Sequence, residues 1–430
     1  MENREFEELS ANSKKSDRHK STPIQAYFNF VKSNLGIGAI VLPFVTYSVG
    51  WFWSIFLFLP VAFSCVQSSI LLIAVADHLA VDKILYADVI RITLGLKWAF
   101  SLDIAIVLQL VGICIAYLIF LTESVTQSLL SIGVEFEKWQ SLCMTLIIIF
   151  PLSYIKNIHF FHLTSKYGFY AALLGFLVVL YDCYLRFSQG LYSFENSVNI
   201  RNSFHYVGVA ILCCEGILTI LPIRDSMVNK LDFKMVAINS MATAFGISIF
   251  IALIAVPIYQ TDIKPILIFN LENPYLQFIS IVFYSISLLL TYPLQLFPAV
   301  QIIERMILEK QSYQEVQQYQ PQINEFENNQ IQNDSENAMF ADTKIQIIIR
   351  TFAMICIYFI AYYVPHLSHF LNFMGSIFGS LLQFCFPVLA HMIHFKKTSE
   401  PQPKLTYTFV LIVAILAMVL GTIESLRAML

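Results

Sequence analysis

The stretch Phe30-Val-Lys-Ser-Asn-Leu-Gly-Ile-Gly-Ala-Ile-Val-Leu-Pro43 sits inside an apolar run, Gln25–Val49, long enough to cross a bilayer as a helix. Its middle resists that conformation. Gly36 and Gly38 each cost a helix about 1 kcal/mol relative to alanine. Ser33 and Asn34 compete for the backbone's own hydrogen bonds, and Pro43 follows. In lipid an unwound stretch persists only where it lines a cavity or is covered by protein. The run therefore reads as a membrane helix broken near its centre. The plain alternative is close helix packing around small residues.

A second segment has the same character. Val207-Gly-Val-Ala-Ile-Leu-Cys-Cys-Glu-Gly-Ile-Leu-Thr-Ile-Leu-Pro222 places Glu215-Gly216 at the centre of an apolar run. A carboxylate at that depth costs about 2.5–3.5 kcal/mol on insertion scales, so it must be protonated, paired or facing water. Such a group marks a substrate or proton pathway. The alternative is a neutral Glu that hydrogen-bonds a neighbouring helix end.

The rest of the chain puts these breaks in a membrane. Of 430 residues, 57% are apolar and 13% charged, too few charges to cover a water-facing surface. Net charge is −3 with no basic stripe, which excludes a nucleic-acid partner. Roughly 245 apolar positions at about 22 per span give eleven spans. They fall near Gln25–Val49, Trp51–Ala76, Ala99–Leu130, Leu142–Tyr154, Leu163–Arg186, Phe204–Ile223, Met235–Tyr259, Tyr275–Ile303, Ile345–Val364, Leu371–His394 and Tyr407–Glu424. The fold class is all-α and polytopic. All eight cysteines lie in apolar runs and none forms a C-x-x-C pair, so they read as buried small hydrophobes.

The expected organisation is a polar N-terminal tail, 1–22, without the apolar core of a cleavable signal peptide. Spans one to eight follow over 23–308. A disordered Gln/Asn-rich loop covers 309–344, and spans nine to eleven cover 345–430. With the N-terminus cytoplasmic, only Lys138, Arg186, Arg201, Lys264 and Arg427 of the 26 Lys and Arg fall on the opposite side. The positive-inside bias thus places the N-terminus and the 309–344 loop in the cytosol and the C-terminus outside. The sequon at Asn333 then carries no glycan.

The two breaks lie five spans apart. Spans one to five start on one side and spans six to ten on the other, the parity of a 5+5 inverted repeat. Half-helix N-termini exposed at such breaks offer N–H donors to a substrate carboxylate, and C-terminal carbonyls meet a cation.

At these residues the chain resembles the amino acid/auxin permease family, whose members have eleven spans and a LeuT-like fold. Lys32-Ser-Asn-Leu-Gly-Ile-Gly-Ala-Ile-Val-Leu-Pro43 is similar to its K-G-N-x-G-T-G-x-x-x-L-P signature, and Glu215-Gly216-Ile217 with Leu221-Pro222 to its F-E-G-I…L-P segment. Tyr86-Ala-Asp-Val89, Gln109 to Gln127, Tyr154-Ile-Lys-Asn157, and Tyr284-Ser285 with Thr291-Tyr-Pro-Leu-Gln295 extend the likeness. The nearest branches are the proton-coupled and vacuolar amino acid transporters. The resemblance implies an amino acid substrate held between spans one and six by alternating access. Ser33, Asn34, Gly36 and Gly38 would meet its carboxylate. Glu215 and Gly216 would line the amino-group side, and Tyr117 and Thr291 would complete the wall. Ile37 replaces the family's threonine. Asn29 stands where some proton-coupled relatives carry His, and Gln301 stands for a Glu. Those losses leave Glu215 as the titratable candidate for coupling, with H⁺ or Na⁺ as the ion and no other cofactor. The membrane is expected to be plasma, vacuolar or lysosomal.

Other constellations carry less. His159/His162, His366/His369 and His391/His394 are i, i+3 pairs, but they fall on both sides of the membrane and cannot share one metal site. Gly375-Ser-Ile-Phe-Gly379 reads as a packing face. Asp103, Glu123 and Asp182 lie near helix ends, where solvation is the default. No nucleophile elbow, P-loop or dinucleotide fingerprint is present, so no catalytic or metal residues are expected. The transporter reading competes with a membrane amino acid sensor that binds without moving substrate, and with a histidine-metal membrane enzyme.

Overall fold

The computed structural model describes residues 21–81, 83–154, 158–194, 198–317, 343–398 and 402–429. Among them every regular element is helical, and the lone β-type pairing is an isolated bridge between Ser21 and Met227. Thr22 and Gln25 form a reciprocal capping box that starts α1 (Pro23–Asn34), with Pro23 at the helix start, where its missing N–H costs nothing. α1 meets α2 (Gly38–Val49) at an angle of 51° across three non-helical residues. Gly50, at φ 108°, turns the chain directly into α3 (Trp51–Leu79).

Then follow α4 (Tyr86–Leu94), α5 (Leu96–Ser131), α6 (Lys138–Leu152), α7 (Ile158–Ser188), α8 (Ser203–Cys213), α9 (Ile217–Ser226), α10 (Phe233–Tyr259), α11 (Pro274–Gln317) and α12 (Thr343–Tyr363). α13 (Leu367–Met374) continues through two π turns, Gly375–Gly379 and Leu381–Cys385, into α14 (Phe386–Thr398). α15 (Lys404–Leu416) and α16 (Thr422–Met429) flank a third π turn. Among the described residues eight helices are long and apolar enough to cross a membrane, and the bent α1–α2 pair adds a ninth. The shorter apolar helices Lys138–Leu152 and Ile347–Tyr363 occupy the places expected for spans four and nine.

The surface is the inverse of a water-soluble one. Phe52, Phe56, Leu59 and Phe63 form an exposed stripe at helical spacing along α3, while Ser54, Ser64, Ser68 and Ser69 of the same helix are buried. Apolar residues face lipid, and small polar ones let helices approach inside. α1 and α2 pack on α10, α2 and α3 on α8, and α11 on α5 and α7. The break in span one thereby faces the break between α8 and α9.

Two expectations need correction. α11 runs on to Gln317, nine residues into the stretch read as a loop from 309, and 318–342 lie outside the described residues, as do 1–20. Asp103 and Asp182 are buried, not solvated. Asp103 Oδ2 accepts a 2.7 Å bond from Arg305 on α11. Asp182 Oδ2 accepts from Arg186 at 3.0 Å and from the Tyr259 hydroxyl at 2.8 Å. The partners Arg305 and Tyr259 come from helices distant in sequence, which hydropathy along one span does not show.

Candidate functional site

The two breaks touch. A Cβ on Gly38 would lie 2.7 Å from Cys213 Sγ and 3.1 Å from the Cys213 backbone. A Cβ on Gly216 would lie 2.5 Å from Asn34 Oδ1. Only glycine permits either crossing. Within span one the break is built locally. Ser33 Oγ and Asn34 Nδ2 both donate to Phe30 O, at 2.9 and 2.8 Å, closing off the last turn of α1. The Tyr284 hydroxyl of α11 donates to the freed Gly36 carbonyl at 3.2 Å. Thr219 Oγ1 lies 2.9 Å from both Ser33 Oγ and Gly216 O and ties the two breaks together.

Between them is a cavity of about 80 Å³. Seven of the expected residues line it: Ser33, Asn34, Gly36, Gly38, Tyr117, Glu215 and Gly216. Thr291 does not. Its hydroxyl donates back to Ser287 O at 2.7 Å, and it packs near Gly168 of α7. One turn further along α11, Gln295 takes the wall position instead, with the Tyr117 hydroxyl against its amide. Sequence reasoning also gave no role to Gln109, Leu110, Ile113 or Thr219. Leu110, Ile113 and Tyr117 are spaced i, i+3, i+7 on α5, so the tyrosine's own helical face was the signal that points to the other two.

The cavity carries one carboxyl and no cationic side chain. The Gln109 amide donates to Glu215 Oε2. Glu215 Oε1, Gln109 Oε1 and Asn34 Oδ1 are buried acceptors that have no hydrogen-bond partner among the described residues. A cluster of unmet acceptors around a carboxylate suits a ligand ammonium, which carries donors only. Opposite in character are two helix N-termini. α2 begins after Ile37 and α9 after Gly216, and neither has a side-chain cap. The Ala39 and Ile40 N–H groups of α2 turn back to the Gly36 and Ile37 carbonyls at 3.2 Å, and that of Thr219 in α9 to Gly216 O at 3.1 Å. The first N–H of each helix is what remains for a ligand, and the helix dipole adds partial positive charge there. The site thus offers anion-seeking and cation-seeking ends within one small chamber.

An aromatic cluster packs around Tyr284, the residue that bonds the Gly36 carbonyl. Phe120 stacks on Phe269 with centroids 6.2 Å apart, and Tyr284 packs against both Phe120 and Phe176 at 5.5 Å. The described histidines of the i, i+3 pairs have other partners. His391 Nδ1 is 2.6 Å from the Tyr407 hydroxyl, and His394 Nε2 is 2.9 Å from His78 Nδ1. The side chains of His159 and His162 lie outside the described residues. Among the described residues no group of three metal-ligating side chains occurs.

Residues 19–427 match the family described as transmembrane amino acid transporter protein. Vacuolar amino acid transporter 3 of Saccharomyces cerevisiae is 27% identical over 293 residues, 66% of this chain and 42% of that protein. Vacuolar amino acid transporter 4 of the same yeast is 25% identical over 393 residues, 88% and 53%. The chain therefore spans about half the length of these yeast relatives. Amino acid transporter ANT1 of Arabidopsis thaliana is 21% identical over 420 residues, 95% of this chain and 93% of that protein. Among solved structures, the closed, bromovinylhydantoin-bound form of Mhp1, a nucleobase-cation-symport-1 family transporter, superposes with a TM-score of 0.54. It is 12% identical and covers 96% of this chain and 94% of its own, a likeness of fold alone.

Proposed function

From the premise that the chain belongs to the transmembrane amino acid transporter family, we propose that it is a secondary active carrier of small amino acids. It works by alternating access around the chamber between the α1–α2 and α8–α9 breaks. The observation that carries this reading is the chamber's polarity. Two unmet acceptor oxygens, on the lining residues Asn34 and Glu215, face the same space as two helix N-termini without side-chain caps. A zwitterion is the ligand whose two ends satisfy both. Its ammonium meets the two oxygens, and its carboxylate meets the first N–H groups of α2 and α9.

Size narrows the substrate. The chamber, about 80 Å³, has room for more than one water and suits a small amino acid. The remaining wall is Ile37, Leu110, Ile113, Leu212 and Leu218, which suits an apolar side chain. Coupling to H⁺ runs through Glu215, the one carboxyl in the chamber. Ionised, it pairs with the substrate ammonium; protonated, it leaves the empty site neutral. The names of the yeast relatives support a vacuolar or lysosomal membrane for this carrier.

The experiment is uptake into liposomes with a panel of amino acids, under H⁺ and Na⁺ gradients imposed separately and in both directions. Small neutral amino acids should accumulate under the H⁺ gradient. Accumulation driven by Na⁺ alone would overturn the coupling assignment. Binding without flux of any amino acid would overturn transport.

A further inference from the structure

One pair of ionisable side chains lies outside the chamber and has no part in it. His205, in the first turn of α8, stacks face to face on His369 of α13, with ring centroids 4.2 Å apart and planes 18° apart. His205 is buried, and it is hydrogen-bonded to the Ser368 backbone. Each ring keeps a buried nitrogen without a partner among the described residues, Nε2 of His205 and Nδ1 of His369. This is the end of the molecule at which α2 finishes, since Asn202 Nδ2 donates to Ser48 O at 3.0 Å.

The pair is the outermost rung of an unusually close seam. One turn inward from His205 is Gly208, and a Cβ there would lie 1.9 Å from Asn372 Oδ1. A Cβ on Gly375 would lie 2.0 Å from Gly208 O, so the two backbones are in contact. A further turn inward, Gly379 meets Ile211. Backbone against backbone has no rotamer that can yield, so a force at one end of the seam moves the helix as a body. α8 ends at Cys213, two residues from Glu215.

We propose that His205 and His369 form a proton-binding site that controls the seam between α8 and α13, separately from Glu215. A neutral imidazole tolerates a stacked neighbour, neutral or singly protonated. Two imidazolium rings 4.2 Å apart, one buried and one partly buried, repel. Histidine is the side chain whose charge responds most readily to acid, so acidification of that side of the membrane is what loads the second proton. Among the groups that face the pair, Glu424 of α16 attracts a proton to His369, while His366, on the same segment with centroids 6.0 Å apart, opposes it, and α16 also carries Arg427. Of the other elements packed here, the turn before α8 carries the exposed Arg201 and α2 carries only Tyr47. α3 places no charged residue at this end, and Glu123 of α5 has Lys138 as its electrostatic partner. Protonating both rings then drives α8 away from α13 and loosens the wall that carries Glu215.

The test uses the full chain in nanodiscs with ¹³C-labelled histidine, followed by NMR against pH. His205 and His369 should titrate as a coupled pair, in two steps more than about one pH unit apart. His205→Phe, which keeps a ring in the stack, should collapse His369 to one step. His369→Phe should do the same to His205. In liposomes both variants should keep uptake at pH 7.5 and lose the part of the acid-dependent change that Glu215→Gln retains. A His369 titration unaltered by His205→Phe would overturn the proposal. The NMR result stands whether or not the chain proves to carry amino acids, so failure of one reading is distinguishable from failure of the other.

Discussion

Glu215 and Gly216 are neighbours for unrelated reasons. Gly216 is fixed by sterics, because any side chain there would displace the Asn34 amide. Glu215 is held by Gln109 on one oxygen and left open on the other. Glu215→Gln keeps the shape and the Gln109 contact but removes the charge-assisted bond to an ammonium. Such bonds are worth about 1.5–3 kcal/mol, so apparent substrate affinity should fall roughly ten- to a hundredfold and lose the part of its pH dependence that Glu215 sets, keeping the part set by the His205–His369 pair. Uptake identical to the parent at every pH would remove Glu215 from the mechanism. The glycines and the carboxyl were legible because each conflicts with an apolar helix. Gln109 and Gln295 were present in recognisable segments but had no assigned role. Which face of a 36-residue apolar helix points inward depends on its rotation against neighbours, and periodicity is weak when both lipid and core are apolar. Thr291 shows the same limit on α11, one turn short of the chamber.

At the scale of helices, small residues set where α8 can lie. The Gly375-x-x-x-Gly379 spacing pointed to a packing face, and the structure supplies its partner, Gly208 and Ile211 of α8. The π turns from Gly375 to Cys385 were not legible, since they insert residues into the ladder without changing composition. Gly375→Ala puts a methyl against the Gly208 carbonyl, a backbone atom that cannot rotate away. Overpacking of this kind costs about 1–3 kcal/mol, to be read as a lower unfolding temperature in detergent. Gly246→Ala is the control, because a Cβ there meets nothing within 4 Å. Equal stability of the two variants would show that the seam is looser than described.

Across the whole molecule, ion pairs tie helices that already pack together. Arg224 of α9 reaches Asp77 of α3 at 2.6 Å, and Arg305 of α11 reaches Asp103 of α5 at 2.7 Å. α9 and α3 therefore share one anchor, and α5 and α11 another, while the chamber opens between the two sets. A double-mutant cycle of Asp103→Asn and Arg305→Gln should return a coupling of about 0.5–3 kcal/mol in unfolding free energy. Additive effects would mean that the pair holds nothing. The sequence by itself determined the membrane class, the two breaks and the glutamate between them. Each is a local conflict between residue chemistry and the surrounding solvent, and lipid punishes such conflicts wherever they occur. Only the tertiary structure decided which acceptors share the chamber, that Gln295 stands in for Thr291, and that His205 lies on His369. These depend on helix rotation and on contacts between segments up to about 250 residues apart, where only packing chooses the partner.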